Sequence, residues 1–380
     1  MPVPRLRGRR YFWIFTAEAG PVPRLSEGGP RRVFTMLLTA SQALDLLRSD
    51  DLLAIGMEAD AVRQRFHPGN VVTYQIDRNI NYTNICTEYC SFCAFYRPVG
   101  SPEGYLQPLD SIFQKIDETL ALGGTGILMQ GGLHPGLTVD YYEDLLCSIK
   151  RRYPKLHLHC FSSPEILNIA EVSGLSLRDT LLRLMDAGLD SIPGGGAEIL
   201  DDEVRRRIAR LKCSTEEWLA VHRTAHQLGL RTTATMMFGC GESLEHRVNH
   251  FERIRQLQDE TGGFTAFIPW IFQRENTSLG NFIKEEASAV DYLKTLAVAR
   301  LYLDNILNLQ ASWLTPGFKL CQIALRFGGN DVGSILIEEN VVRAAGVTRT
   351  ASEERLRRLI AEAGFRPIQR DTLYRLYFLA

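Results

Sequence analysis

Short apolar strands alternating with amphipathic helices run through most of this 380-residue chain, and this alternation limits its fold more than any other feature. Residues 71–77 are rich in β-branched and aromatic side chains and read as a strand. Residues 126–132 and 155–161 read as further strands. Residues 191–198, 232–239, 264–270 and 310–314 each follow a stretch with helical periodicity, at 177–187, 216–228, 245–258 and 290–306, and another such stretch covers 109–122. Repeated βα units of this size call for a parallel sheet with helices outside it. Glycines and polar residues gather at the C-terminal ends of the strands, where a barrel carries its active-site mouth. The expected fold is therefore α/β, a TIM-like (β/α) barrel with helical additions at both ends. Helices are predicted at 41–55 and 59–66 before the barrel. After it, Thr350 and Glu353 form a capping box for a helix that Gly364 stops. The expected divisions are an N-terminal extension over 1–35, helices over 36–70, the barrel over 71–335 and a helical extension over 336–380.

Composition narrows the function classes. Hydrophobic residues make up 45% and charged residues 23% of the chain, as in an ordinary globular protein. A formal net charge of −1 provides no bulk attraction to nucleic acid or to a membrane surface, and neither is expected as a partner. No stretch reaches the roughly 18 consecutive apolar residues of a membrane span. Of eight cysteines, three share one loop and the other five are scattered, which argues against a disulfide framework and for a reducing cytoplasm. The first 35 residues are rich in Arg, Pro and Gly. Arg9-Arg10 resembles a twin-arginine signal, but the apolar run over 11–15 is too short to complete one. A tail without its own fold, or sequence lying upstream of a start at Met36, are the two readings, and the helical pattern that opens at Met36 favours the second.

The loop cysteines carry the chemistry. Cys86, Cys90 and Cys93 are spaced C-x3-C-x2-C, with an aromatic residue just before the third. Three thiols can hold three irons of a [4Fe–4S] cube and leave the fourth without a protein ligand, whereas electron-transfer clusters usually take four cysteines. The open iron can bind the amino and carboxylate groups of S-adenosylmethionine (SAM), and an electron then cleaves the sulfonium to release a 5′-deoxyadenosyl radical. A structural zinc site would need four ligands, and no further Cys or His follows within twenty residues. On this motif the chain is identified as a member of the radical SAM superfamily.

With the active face fixed, other residues acquire roles by position. Gly131 and Gly132 end the second strand, where the bare backbone can approach a ligand and bind the methionyl ammonium. Gly194 and Gly195, followed by Glu198, either wrap an adenosine or a substrate sugar or simply form a turn. Ser162 and Glu165 either meet ribose hydroxyls of SAM or of the substrate, or start the next helix. Glu242 closes Phe238-Gly-Cys-Gly-Glu242, where contacts to adenine are expected. Trp270 is placed to stack on a flat substrate, with Gln273 beside it as a substrate ligand. Arg326 is offered for a substrate carboxylate and Asp331 for hydroxyls. His159 is expected as a polar cavity residue. The i,i+4 pairs His222/His226 and His246/His250 match a metal-binding spacing but lack an intervening Glu, and are read as surface residues on outer helices.

Several segments resemble one branch of the superfamily. Residues 81–97 and 190–200 are similar to the cluster loop and glycine-rich strand end shared by the menaquinone enzymes and the deazaflavin (FO) synthase subunits. Thr261-Gly-Gly-Phe-Thr-Ala-Phe-Ile-Pro-Trp270, residues 302–306 and Gln369-Arg-Asp-Thr-Leu-Tyr374 look most like the cyclic dehypoxanthine futalosine synthases of the futalosine route to menaquinone. The resemblance runs from about residue 40 to 374. It implies dehypoxanthine futalosine as substrate, hydrogen abstraction from its ribose C4′, addition of the carbon radical to the benzoate ring, and loss of an electron and a proton. Glu165, His159 and Asp331 are the candidates for the final proton acceptor, and a flavodoxin or ferredoxin is the expected electron donor. Aminofutalosine synthase and an FO synthase subunit are the rival enzymes, and an iron–sulfur electron carrier is the rival without catalysis. The chain departs from the family pattern at Cys240, where a histidine is expected, and at Gln273-Arg-Glu-Asn276, where a proline-glycine turn is expected.

Overall fold

The computed structural model describes residues 38–377, so the expectations for residues 1–35 lie outside the described residues. Eleven strands are described: β1 (Val71–Gln75), β2 (Asn79–Ile80), β3 (Gly126–Met129), β4 (His157–Cys160), β5 (Ser191–Ile192), β6 (Arg231–Phe238), β7 (Phe264–Ile271), β8 (Asn308–Leu309), β9 (Asp331–Ser334), β10 (Arg366–Arg370) and β11 (Leu376–Tyr377). Strands β2 to β8 form one seven-stranded sheet in chain order, every pair parallel. The helices that connect them are α3 (Leu109–Ala121), α4 (Val139–Arg152), α5 (Ser163–Ser173), α6 (Leu177–Asp186), α7 (Asp202–Ile208), α8 (Thr215–Gln227), α9 (Leu244–Thr261) and α10 (Ala289–Tyr302), preceded by α1 (Ala40–Arg48) and α2 (Leu52–Phe66). This is the TIM-like α/β architecture expected from the βα alternation.

The ends of the chain depart from expectation. The predicted first helix breaks at Ser49, because Asp51 caps a second helix by accepting a 3.0 Å hydrogen bond from the Ala54 amide. Strand β1 does not join the seven-stranded sheet. It is the centre of a second sheet, ordered β11-β10-β1-β9, in which β9 and β10 flank it in parallel. The expected boundary at residue 335 therefore separates nothing, and the C-terminal extension is not purely helical. After α11 (Phe318–Ala324) and α12 (Val341–Ala344), helix α13 (Glu353–Glu362) leads into β10. Its cap is Ser352, which accepts from the Arg355 amide, rather than Thr350.

The two sheets meet at both edges. Chain continuity joins β1 to β2, and a bridge between Gln310 and Asp331 joins the β8 side to β9. The core falls into two clusters. One packs Ile127, Leu158 and Ile192 of the early strands against α3–α6 and α8; the other packs the later strands against α1, α2, α9, α10 and α13. Leu158 and Ile192 are fully buried, and each such side chain stabilises the fold by about 1.5–3 kcal/mol. The space between the two sheets holds the cavity described next.

Candidate active site

The cluster loop follows β2 and is pinned by its own backbone. The Cys86 amide donates to Arg97 O at 3.0 Å, the Arg97 amide to Asn84 O at 2.7 Å, and the Thr87 amide to Leu133 O at 3.1 Å. Ser91 docks on the C-terminal end of α7 through a 2.9 Å bond to Ile208 O. Arg97 also donates to the carbonyls of Ala94, Phe95 and Tyr96. Behind the loop lies Gly132. A Cβ there would sit 2.2 Å from Ile85 O and 2.8 Å from Cys86 Cβ, so only glycine lets the loop close.

Cys86, Cys90 and Cys93 are free thiols on one wall of a cavity of about 410 Å³. Burial pushes the Cys86 and Cys90 thiols up, so positive charge from bound iron is needed to keep them as thiolates. None of the other five cysteines lines the cavity. Among the described residues, no three His, Cys, Asp or Glu side chains converge on a single ion. A cube does not require convergence, since each thiolate holds a different iron. Three thiols and no fourth fit a [4Fe–4S] cluster with one open iron.

The strand ends supply the rest of the wall. Gly131 and Gly132 line it, and no described group donates to either carbonyl. Gly194 and Gly195 line it too. A Cβ on Gly194 would lie 2.6 Å from Thr233 O, so this run is a close backbone approach and not merely a turn. Glu198 meets Lys212 at 3.1 Å; burial opposes the lysine charge, but Glu198 carries its pKa above the ordinary range. Trp270 reaches the cavity from β7.

Both readings of Ser162 and Glu165 meet at one place: the pair starts α5 as a capping box and also lines the cavity. Glu165 accepts from the Gly131 and Ser162 amides at 2.8 Å each, from Ser162 Oγ at 2.6 Å and from Tyr82 OH at 2.9 Å. Burial raises its pKa, while these donors work to lower it. With four donors, Glu165 braces Gly131 and has no oxygen free of donors. His159 lines the cavity with Nδ1 2.6 Å from Ser191 Oγ, and burial pulls its pKa down to about 3.

Four expected site residues lie elsewhere. Asp331 is fully buried behind the wall, gripped by Arg370 at 2.6 and 3.0 Å and by Thr73 at 2.5 Å. Glu242 folds back onto the Gly239 and Cys240 amides at 2.8 Å and pairs with Arg247; it stabilises the turn after β6 and does not reach the cavity. Cys240 is buried in the same turn and does not line the cavity. Gln273 lines only a small side pocket of about 40 Å³ beside Cys93 and donates to Ile271 O and Phe272 O. Arg326 is half exposed, donates to Ala363 O and stacks on Phe365, away from the cavity. The histidine pairs are also corrected. His222, His226 and His250 face inward from α8 and α9, bonding Ser163, Thr232 with Thr261, and the Leu200 amide, while His246 caps α9. His222 and His250 are fully buried and His226 is partly buried, so the surface reading fails for three of the four.

The sequence reading missed the far end of the cavity. Gln75 and Asp77 from β1 and its exit, Arg370 and Thr372 from β10 and its exit, and Tyr374 line it together. Arg370 spends four of its five N–H groups on Asp331, Gln75 Oε1 and Asp371 O, and so acts as a strut between β1, β9 and β10. Among the described residues, no helix is long and apolar enough to cross a membrane.

Comparison with known proteins agrees with this geometry. Residues 80–254 match the radical SAM superfamily, and residues 261–379 match the CofH/MqnC C-terminal region. The chain is 48% identical over 339 residues to cyclic dehypoxanthine futalosine synthase of Halalkalibacterium halodurans, covering 89% of this chain and 91% of that one. It is 43% identical to 5-amino-6-(D-ribitylamino)uracil–L-tyrosine 4-hydroxyphenyl transferase of Archaeoglobus fulgidus, covering 87% and 97%. The crystal structure of methylornithine synthase superposes with a TM-score of 0.66 at 21% identity, over 87% of this chain and 94% of that one, and supports the fold. Enzymes of this superfamily work with a [4Fe–4S] cluster and SAM. The thiol triad, the βα fold and the match across both halves place the chain among the radical SAM enzymes, in the family that includes the cyclic dehypoxanthine futalosine synthases.

Proposed function

We propose that the chain converts dehypoxanthine futalosine to cyclic dehypoxanthine futalosine. The observation that carries this reading is the 48% identity, over 339 residues and 89% of this chain, to a synthase of that name. A bound cluster would supply the electron that cleaves SAM to methionine and a 5′-deoxyadenosyl radical, with a flavodoxin or ferredoxin as the source of electrons. The protein's own part is positional. Cys86, Cys90 and Cys93 would hold the cluster, the free carbonyls of Gly131 and Gly132 would receive the methionyl ammonium, and Gly194 and Gly195 would allow the adenosine close to the wall. Trp270 would stack on the flat aromatic part of the substrate. Enclosure between two sheets keeps water from a reactive carbon radical.

The transferase at 43% identity is close enough that identity alone does not separate the reactions. The test is mass spectrometry on anaerobically reconstituted protein with SAM, a reductant and dehypoxanthine futalosine. A product two hydrogens lighter, formed with an equal amount of 5′-deoxyadenosine, is expected. SAM cleavage with the substrate left intact would reject the assignment, and enolpyruvyl benzoate and the tyrosine-derived substrate would be tried next.

A further inference from the structure

The cavity contains one carboxyl group that the assignments above leave without a task. Asp77 follows β1, is 9% exposed, and lines the wall beside Gln75 and Ser334. Its main chain is well held, with Asp77 O accepting from the Ile337 amide at 3.3 Å and Ser334 Oγ at 3.4 Å. Its Oδ1, by contrast, is buried with no hydrogen-bond partner. Leaving a buried acceptor unpaired costs about 1–3 kcal/mol, and such a group in a native site calls for a reason. The neighbouring acids are differently placed. Glu165 has four donors, and Glu339 accepts from the Asn79 side chain and the Val341 and Val342 amides. Glu198 also leaves one buried oxygen without a hydrogen bond, Oε2, but its charge is matched by Lys212 at 3.1 Å on Oε1 and by Arg205 at 3.9 Å. Glu88 likewise has an unpaired buried Oε2, but it lies between Cys86 and Cys90 in the cluster loop itself, at the opposite end of the cavity from Asp77.

The three groups that the sequence offers as final proton acceptor are poorly suited by their surroundings. Glu165 is saturated, Asp331 is locked to Arg370 behind the wall, and His159 is held far below the range of a useful base. On the cyclase reading, we propose that Asp77 accepts the proton released when the ring closes. Once C4′ has bonded to the aromatic ring, the ring radical must lose one proton and one electron. The ring C–H bond breaks, its proton passes to the Asp77 carboxylate, and its electron pair rejoins the ring π system. The surplus electron leaves to a one-electron acceptor of the iron–sulfur class. Burial pushes the Asp77 carboxyl up to about 6, against Ser334 and Arg370 on β10, with Asp331 on β9 and Glu339 also raising it. A carboxylate in that range is ionised near neutrality yet basic enough for proton transfer.

The experiment compares wild type with Asp77→Asn and Asp77→Glu in anaerobic turnover with SAM, dithionite and dehypoxanthine futalosine, cluster content being checked by absorbance. In the first turnover of Asp77→Asn, 5′-deoxyadenosine should form to the same extent per cluster as in wild type while cyclised product falls about 100-fold, and an organic radical should accumulate by electron paramagnetic resonance. Asp77→Glu should restore part of the product. Parallel loss of 5′-deoxyadenosine and product, or product formation unchanged in Asp77→Asn, overturns the proposal. Wild type that cleaves SAM without forming product overturns the cyclase reading, and the proposal with it.

Discussion

The two ends of the cavity are built in opposite ways. The cluster end comes from one short loop, with its three thiols within eight consecutive residues and the loop closed on itself by the Cys86–Arg97 and Arg97–Asn84 bonds. The far end is assembled from β1 and, hundreds of residues later, β9 and β10, and is held by the buried Arg370–Asp331 pair. A local loop can carry the invariant step of a reaction class, while a surface assembled across the fold can be changed strand by strand to suit a substrate. On this account the cluster end makes the radical and the far end decides what happens to it.

The most severe break should come at the cluster end. Cys90→Ala removes one of three iron ligands and should abolish both cluster assembly and turnover, with circular dichroism still showing a folded barrel. Full activity in this variant would end the account. At the far end, Arg370→Ala strips the partner from a fully buried Asp331. It should cost about 3–5 kcal/mol in urea unfolding, as for other broken buried pairs. A loss below 1 kcal/mol would show that the strut carries no load.

A smaller effect concerns pH. Asp77 holds its proton more tightly in the native state, at about 6, than an unfolded carboxyl does near 3.9. The native state therefore binds more protons over that window, and wild-type stability should decline as pH rises from about 4 to 6 through this group. Asp77→Asn should flatten that decline; an unchanged slope would contradict the burial argument. The smallest effect is expected outside both ends. Arg326→Ala touches only the Ala363 carbonyl, Phe365 and a long contact to Asp60, and should leave KM for the substrate unchanged. A large rise in KM would return Arg326 to the site.

The same contrast explains what was legible in the sequence. The alternation of apolar strands and amphipathic helices, and the thiol triad, are periodic or local signals, and both carried over into the structure. Glu165 could be read both as helix start and as site residue because both roles sit in one capping box. The far end was not legible. Asp331 and Arg326 lie only five residues apart in sequence, yet one is locked behind the wall and the other faces outward. Asp77 looks like any polar residue after a strand until β9 and β10 are placed on either side of β1. The inward histidines of α8 and α9 were misread because helical spacing gives a common face without saying which way that face points.

The central claim is that the radical made at the cluster end takes its hydrogen from the substrate sugar held in the same cavity. Dehypoxanthine futalosine carrying deuterium at C4′ tests it directly, with SAM and reductant under anaerobic turnover. The account predicts one deuterium in each 5′-deoxyadenosine released and a cyclised product that has lost that label. Unlabelled 5′-deoxyadenosine formed alongside product would contradict it.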